Sequence, residues 1–204
     1  MPRIRADSIR AHKALTRNEI LEAAAALFRA QGYEDTSLGD IAGYVGIGRT
    51  TLYEYFSDKE DILASLVEET IPGVVERLIS GLPDGLGARE RLGELVVRGL
   101  EFVSSDEDLG ALLMRETPRL SPETQLRVRT AHRALGDEIH RVCHKGIEAG
   151  IFKPFDPKIT AGLVYGVLMW ASEGLLRDEE AKQRIHEVAE TVVQMLFGGL
   201  LIKP

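Results

Sequence analysis

Five side chains at close spacing, Arg49, Thr50, Tyr53, Tyr55 and Lys59, offer hydrogen-bonding groups within eleven residues. Arginine can bond guanine O6 and N7 together, and a threonine beside it can donate, accept or touch a thymine methyl. Tyr53, Tyr55 and Lys59 suit phosphate oxygens, which fix register on a duplex without reading sequence. Lys59 also falls in the first turn of a following helix, where free N–H groups and the helix dipole favour an anion. Thr36 precedes another short helix and can bring its hydroxyl to a phosphate. This is the chemistry of contact with double-stranded DNA.

A second constellation is His140, Cys143 and His144, at i, i+3 and i+4 on one helical face. A zinc site would want a further ligand or a water, and this spacing is not that of a finger. A thiol nucleophile would want supporting motifs, yet no G-x-S-x-G, phosphate loop or H-E-x-x-H pattern accompanies it. These three therefore read as packed or solvated side chains. The sequence calls for no metal, no cofactor and no catalytic site.

The elements that position the first group lie between residues 36 and 60. Leu38, Ile41, Ala42 and Val45 recur at helical spacing, with Ser37 and Asp40 as an acidic variant of the capping box. Gly46 ends that helix, since glycine enters the left-handed region without a Cβ penalty. Gly48 serves as N-cap of a second helix over about residues 49–55, which buries Leu52 and Phe56 and turns Arg49, Thr50, Tyr53 and Glu54 outward. Two short helices across a tight turn make a helix-turn-helix, whose second helix has the width of the major groove.

The run IAGYVGIGRTTLYEYFSDKEDIL resembles the signature of the tetracycline-repressor (TetR) family. It matches at Ile41, Ala42, Gly46, Thr51, Leu52, Tyr53, Tyr55, Phe56, Lys59, Glu60 and Leu63, with Ile47 conservative. It departs at Val45, where the family has alanine, and at Gly48, where it has Ser or Thr; a glycine N-cap costs only a few tenths of a kcal/mol (~0.3). The resemblance implies operator contacts from Thr36, Ser37, Arg49, Thr50, Tyr53, Tyr55 and Lys59. It further implies an all-α fold: a three-helix DNA-binding domain over residues 1–60, with the helix-turn-helix at about 37–56, then a larger helical effector-binding and dimerisation domain over 61–204.

Composition sets bounds around this. The 204 residues suffice for a sizeable core, and 44% hydrophobic with 28% charged content is that of an ordinary globular protein. The single cysteine rules out an intramolecular disulfide and suits a reducing cytoplasm. With no apolar leader, and with the longest uncharged run, 159–172, too short to span a bilayer, a cytoplasmic protein without a membrane partner is expected. A net charge of −7 argues at first against a polyanion. The charge is unevenly placed: residues 1–17 carry +4 and the remainder −11. A basic arm ahead of an acidic body can still hold DNA at one end.

Taken in order, Thr16 and Glu19 form a capping box for a first helix that Gln31-Gly32 stops. Ser57 with Glu60 opens a fourth helix, which Pro72-Gly73 must kink or end. Further helices are expected over 89–103, from Ser105 to Glu116, from Ser121-Pro122 as far as Gly150 with Gly146 a weak point, over 158–177, and after Asp178. That makes roughly nine helices and no convincing strand.

One helix-turn-helix reads few base pairs, so a homodimer on a palindromic operator is expected. The last two helices are its natural interface, the first of them apolar almost all round with glycines at 162, 166 and 174. The middle helices would enclose a cavity walled by Phe102, Leu112, Leu113, Met114, His140, Cys143, Tyr165 and Met169, mostly apolar with a few polar tips. In the resembled family such a sensor domain binds a small, often lipophilic molecule and loosens the grip on DNA. The expectation is a transcriptional regulator of the repressor kind rather than an enzyme. The competing reading is an all-helical small-molecule carrier or minor enzyme whose helix-turn-helix only packs.

Overall fold

The computed structural model describes residues 2–105, 112 and 116–201. Among them are ten α-helices and a 3-10 turn at Thr117–Arg119. The helices are α1 (Pro2–Gln31), α2 (Leu38–Val45), α3 (Arg49–Tyr53), α4 (Lys59–Ser80), α5 (Ala88–Ser105), α6 (Pro122–Ala131), α7 (Arg133–Glu148), α8 (Pro157–Arg177), α9 (Glu179–Gln183) and α10 (Ile185–Leu200). The one β feature among the described residues is an isolated bridge between Phe152 and Leu201. The fold is all-α, as the hydrophobic periodicity requires.

The chain forms two compact units, residues 1–69 with 115–128, and residues 70–114 with 129–204. The division between these units falls inside α4, after Glu69, and α4's first half buries Ile62, Leu63, Leu66 and Val67. Both α4 and α6 run from one unit into the other.

In the first unit, Ile20, Leu21, Ala24 and Phe28 of α1 are buried together with Ile41 and Ala42 of α2, Leu52 of α3 and Phe56. α1 starts at Pro2, not at Thr16, since nothing between the two interrupts a helix; Thr16 is buried within it. Gly32, at φ 89°, ends it. The Arg17 guanidinium lies 5.2 Å from the Phe56 ring centroid and pairs with Glu69, so it is engaged internally.

The start of α4 also differs from the expected capping box. Asp58 Oδ1 accepts from Asp61 N at 2.8 Å, and Asp61 Oδ2 accepts from Ser57 N at 3.0 Å. Asp58 therefore caps, Asp61 reciprocates, and Glu60 is left for another partner. Pro72 does not end α4, which continues to Ser80.

In the second unit α5, α7, α8 and α10 pack around Leu92, Leu95, Leu100, Ile139, Val164 and Leu168. The expected long helix from Ser121 is two helices, broken at His132 rather than at Gly146. Gly146 instead lies face to face with the buried Phe152 ring, leaving no room for a Cβ. The short helix expected from Ser105 to Glu116 falls mostly outside the described residues.

α8 is not apolar-buried all round. Val164, Leu168, Ala171 and Leu175 point inward, while Ile159, Leu163 and Trp170 are exposed, the last at 75%. Gly162, Gly166 and Gly174 are open too, with no atom near where a Cβ would stand. By length and composition α8 is apolar enough to cross a membrane, but 39% of its most apolar window is buried against the other helices of its unit.

Candidate nucleic-acid interface

The turn between α2 and α3 is fixed by backbone geometry. Gly46 takes φ 79°, and Ile47 N returns to Ala42 O at 3.0 Å. Gly48 is extended and accepts from Leu52 N at 3.1 Å, starting α3 without a side-chain cap. Leu52 and Phe56 are fully buried, which pins one face of α3 inward. Arg49, Thr50, Tyr53 and Glu54 are consequently exposed, Tyr53 at 57%. α3 formally ends at Tyr53; Glu54 and Tyr55 continue with i−3 bonds, and Tyr55 is half-buried.

The residues flanking α3 are more heavily engaged than their types suggest. Thr36 is 1% exposed, and its hydroxyl donates to Gly32 O at 2.7 Å, so in this conformation it is a loop brace and not a surface donor. Ser37 is the N-cap of α2: its Oγ accepts from Asp40 N and donates to Asp40 Oδ2 at 2.6 Å. Those Ser37 bonds, with the charge of Arg49 adding to them, hold the Asp40 carboxyl below the usual range. Lys59 Nζ donates to Tyr33 O at 2.6 Å and Glu34 O at 3.2 Å and lies 4.3 Å from the Tyr33 ring centroid. The ammonium thus ties α4 to the loop ahead of α2. Burial, with nearby carboxylates led by Glu60, raises the Tyr33 hydroxyl far above its ordinary value, so it stays neutral.

Glu60, the neighbour of Lys59, turns to α6 and accepts from Ser121 N at 3.1 Å and Thr124 Oγ1 at 3.0 Å. Further along the same pair of helices, Arg127 donates twice to Glu68 at 2.9 and 2.8 Å, to Asp61 at 2.8 Å and to Ser65 Oγ at 3.1 Å. The hydrogen bond from Arg127 lowers Glu68 below the usual carboxylate range. For Asp61, burial pushes upward but the Ser57 N–H and Arg127 outweigh it, so it too is lowered.

In the second unit a cleft of about 310 Å³ opens where α6 gives way to α7. Arg129, His132, Arg133, Asp137 and Tyr165 line it. Of the eight residues expected to wall a cavity, Tyr165 lines this cleft. Leu112 and Cys143 are buried, Phe102, His140 and Met169 are half-buried, and Leu113 and Met114 lie outside the described residues. Burial pushes the Cys143 thiol up to about 11, leaving it protonated and unreactive at neutral pH. The His140 and His144 rings stand 6.1 Å apart, and among the described residues no three His, Cys, Asp or Glu side chains are placed to share a metal.

The profile of bacterial regulatory proteins of the tetR family matches residues 20–66, and that of the tetracyclin repressor-like C-terminal domain matches residues 85–200. The chain belongs to the TetR family. Among characterised TetR relatives, the fatty acid metabolism regulator protein of Bacillus subtilis is 21% identical over 183 residues, covering 89% of this chain and 94% of its own length. FadR from Bacillus subtilis, solved in complex with stearoyl-CoA, superposes with a TM-score of 0.74 at 22% identity, over 89% of this chain and 97% of that one. AibR, solved with isovaleryl coenzyme A and operator DNA, superposes at 0.66 with 23% identity, over 90% and 99%. At these identities the two superpositions establish the TetR fold itself.

Two residues of the TetR reading head escape a search by residue type. Tyr44, on the outer face of α2, is 65% exposed beside the buried Ile41 and Ala42. It lies off the apolar stripe, a signal the sequence did contain. Gly39 is the other. A Cβ there would stand 2.7 Å from Arg49 Nη2, a contact across the turn that no local pattern announces.

Proposed function

We propose that this protein is a homodimeric, sequence-specific DNA-binding transcriptional regulator acting in the cytoplasm, a repressor released from a palindromic operator by a lipophilic small molecule. The observation that carries this reading is α3: one face locked by Leu52, the other offering Arg49, Thr50 and Tyr53 to solvent. Arg49 and Thr50 read base edges, while Tyr53, Tyr55 and Tyr44 approach the sugar-phosphate backbone. Thr36, Ser37 and Lys59 act by holding α2 and α3 in place, with the Ser37 hydroxyl, which is exposed, also within reach of a phosphate. The exposed stripe of Ile159, Leu163 and Trp170, with Met195 of α10, is the surface buried against a second copy.

The effector is an acyl-CoA thioester. FadR bound to stearoyl-CoA and AibR bound to isovaleryl coenzyme A support this, as does the chemistry of the cleft. Arg129 and Arg133 line it, the latter 3.5 Å from Asp137, and their guanidinium groups suit the phosphates of coenzyme A, while the acyl chain needs only apolar wall. Binding there shifts α4 and α6 and changes the spacing of the two α3 helices, so that both half-sites can no longer be filled.

Fluorescence anisotropy on genomic operator fragments, titrated with salt, tests the core of this. Log K should fall linearly with log salt, by roughly 0.9 for each phosphate neutralised, and one sequence should be preferred over random duplex. Added stearoyl-CoA or isovaleryl-CoA should release the DNA where free coenzyme A does not. Indifference of binding to both salt and sequence would refute the DNA reading. Indifference to every thioester would refute the effector.

A further inference from the structure

We propose that Gly39 is a specificity-determining position: its missing side chain leaves the slot in which the Arg49 guanidinium lies, and so sets where that arginine enters the major groove. The proposal rests on the DNA-recognition reading above and goes beyond it, because Gly39 itself offers no side chain to a base.

The geometry is local. A Cβ built on Gly39 would stand 2.7 Å from Nη2, 2.9 Å from Nε and 3.0 Å from Cζ of Arg49. Arg49, the first residue of α3, therefore reaches back across the turn and lays its guanidinium over the first turn of α2. Asp40 stands beside the slot, its carboxylate held by Ser37 N at 2.8 Å and Ser37 Oγ at 2.6 Å. That fixed negative charge draws the guanidinium toward α2. An arginine confined in this way has surrendered rotamer freedom before DNA arrives, which sharpens its choice of base.

Backbone conformation does not explain the glycine. Gly39 lies inside α2 and is absent from the residues with positive φ, unlike Gly46 at φ 79°. Alanine is the better helix former at such a site. Gly43, four residues on in the same helix, has no atom within 4 Å of its would-be Cβ and supplies the control. The atoms met at Gly39 are the tip of a flexible side chain, so a methyl there moves Arg49 and leaves α2 intact.

The experiment compares the full-length protein with Gly39→Ala, Gly43→Ala, Arg49→Ala and the double variant Gly39→Ala/Arg49→Ala. Binding to a randomised operator library is read by sequencing the bound fraction, and thermal melting is recorded alongside. Arg49→Ala should erase preference at one base pair per half-site, where a bidentate contact gives the wild type about 10-fold discrimination or more. Gly39→Ala should lose at least half of that preference at the same base pair, with melting at or above wild type and unchanged affinity for random duplex. Gly43→Ala should read DNA as wild type does, and Gly39→Ala should add nothing once Arg49 is gone. Should Gly39→Ala not fold, Asp40→Asn, which keeps a capping side chain but removes the charge, should relax the same base pair. Unaltered preference in Gly39→Ala, equal loss in Gly43→Ala, or a further loss in the double variant overturns the proposal. A wild type without any base preference overturns the DNA reading and the proposal together, whereas a selective wild type with an indifferent Gly39→Ala overturns the proposal alone.

Discussion

Replacing Arg127 with methionine keeps the apolar stem of the side chain, out to about the position of Nε, and removes a guanidinium that holds α6 to α4. The wild-type group makes four hydrogen bonds, two to Glu68, one to Asp61 and one to Ser65. Fully buried charge-assisted bonds would contribute about 1.5–3 kcal/mol each. Here Arg127, Asp61 and Glu68 are 29%, 26% and 39% exposed, so solvent screens the pairs toward the ~0.2–1 kcal/mol of surface bridges. Ser65, nearly fully buried, also loses its donor. The net expectation is a loss of about 2 kcal/mol, or roughly 4–8 °C in Tm for a chain of this size. Asp61 and Glu68 titrate below their ordinary range in the folded protein, so each binds a proton less readily folded than unfolded. Their stabilisation is therefore complete above the ordinary carboxylate pKa of about 4 and is lost as pH falls through the lowered folded values. Melting curves of wild type and Arg127→Met should stand well apart at pH 7 and converge toward pH 3. A double-mutant cycle with Glu68→Gln should show coupling of about 1 kcal/mol. A Tm within 1 °C of wild type, or a gap that persists unchanged into acid, would refute the reasoning.

Other expectations concern different parts of the molecule. Lys59→Ala should lower Tm by about 2–4 °C, for a loss near 1 kcal/mol, and weaken binding to every duplex alike, because it frees the Tyr33 and Glu34 carbonyls and loosens the loop ahead of α2. A changed base preference in a library selection would contradict that role. Leu163→Glu with Trp170→Glu places charge on the exposed stripe of α8 and should yield a folded monomer by light scattering, with operator affinity reduced at least about 10-fold by loss of the second half-site. Arg129→Glu with Arg133→Glu should raise the acyl-CoA concentration needed for release about 10-fold while leaving DNA affinity in the absence of ligand near wild type; equal losses in both would deny the cleft a role in effector binding.

How much was legible before the structure depends on the range of the contact involved. The capping box at Ser37 and Asp40, the left-handed Gly46 and the buried Leu52 and Phe56 are local consequences of residue type, and each stands where periodicity put it. The extension of α1 back to Pro2 is not legible in the sequence, because a cap-like Thr16 inside a helix looks the same as one at its start. The chemistry of Thr36 and Lys59 suits donors to phosphate, yet in the fold they donate to backbone carbonyls of the loop between α1 and α2. Sequence gives the donor; only the fold shows which acceptor is nearest. The slot at Gly39 belongs to the same class, since Arg49 reaches it only after the chain has reversed direction. The apolar character of α8 was legible; which of its residues are buried, Val164, Leu168, Ala171 and Leu175, and which are exposed, Ile159, Leu163 and Trp170, depends on the helices packed against it.

The adjacent residues Lys59 and Glu60 face opposite duties. Lys59 grips the carbonyls ahead of α2, and Glu60 accepts from the first turn of α6. One turn of α4 therefore joins the reading head to α6 through contiguous hydrogen bonds. Allosteric coupling in binding proteins amounts to about 1–3 kcal/mol. Detaching α6 from α4 would break the two bonds to Glu60 and the four from Arg127, which together reach or exceed the top of that range at about 0.5–1 kcal/mol each. An effector that displaces α6 thus moves α4 with it rather than tearing the two apart. The motion then arrives at Lys59, and through it at the loop on which Thr36 and Ser37 set the start of α2.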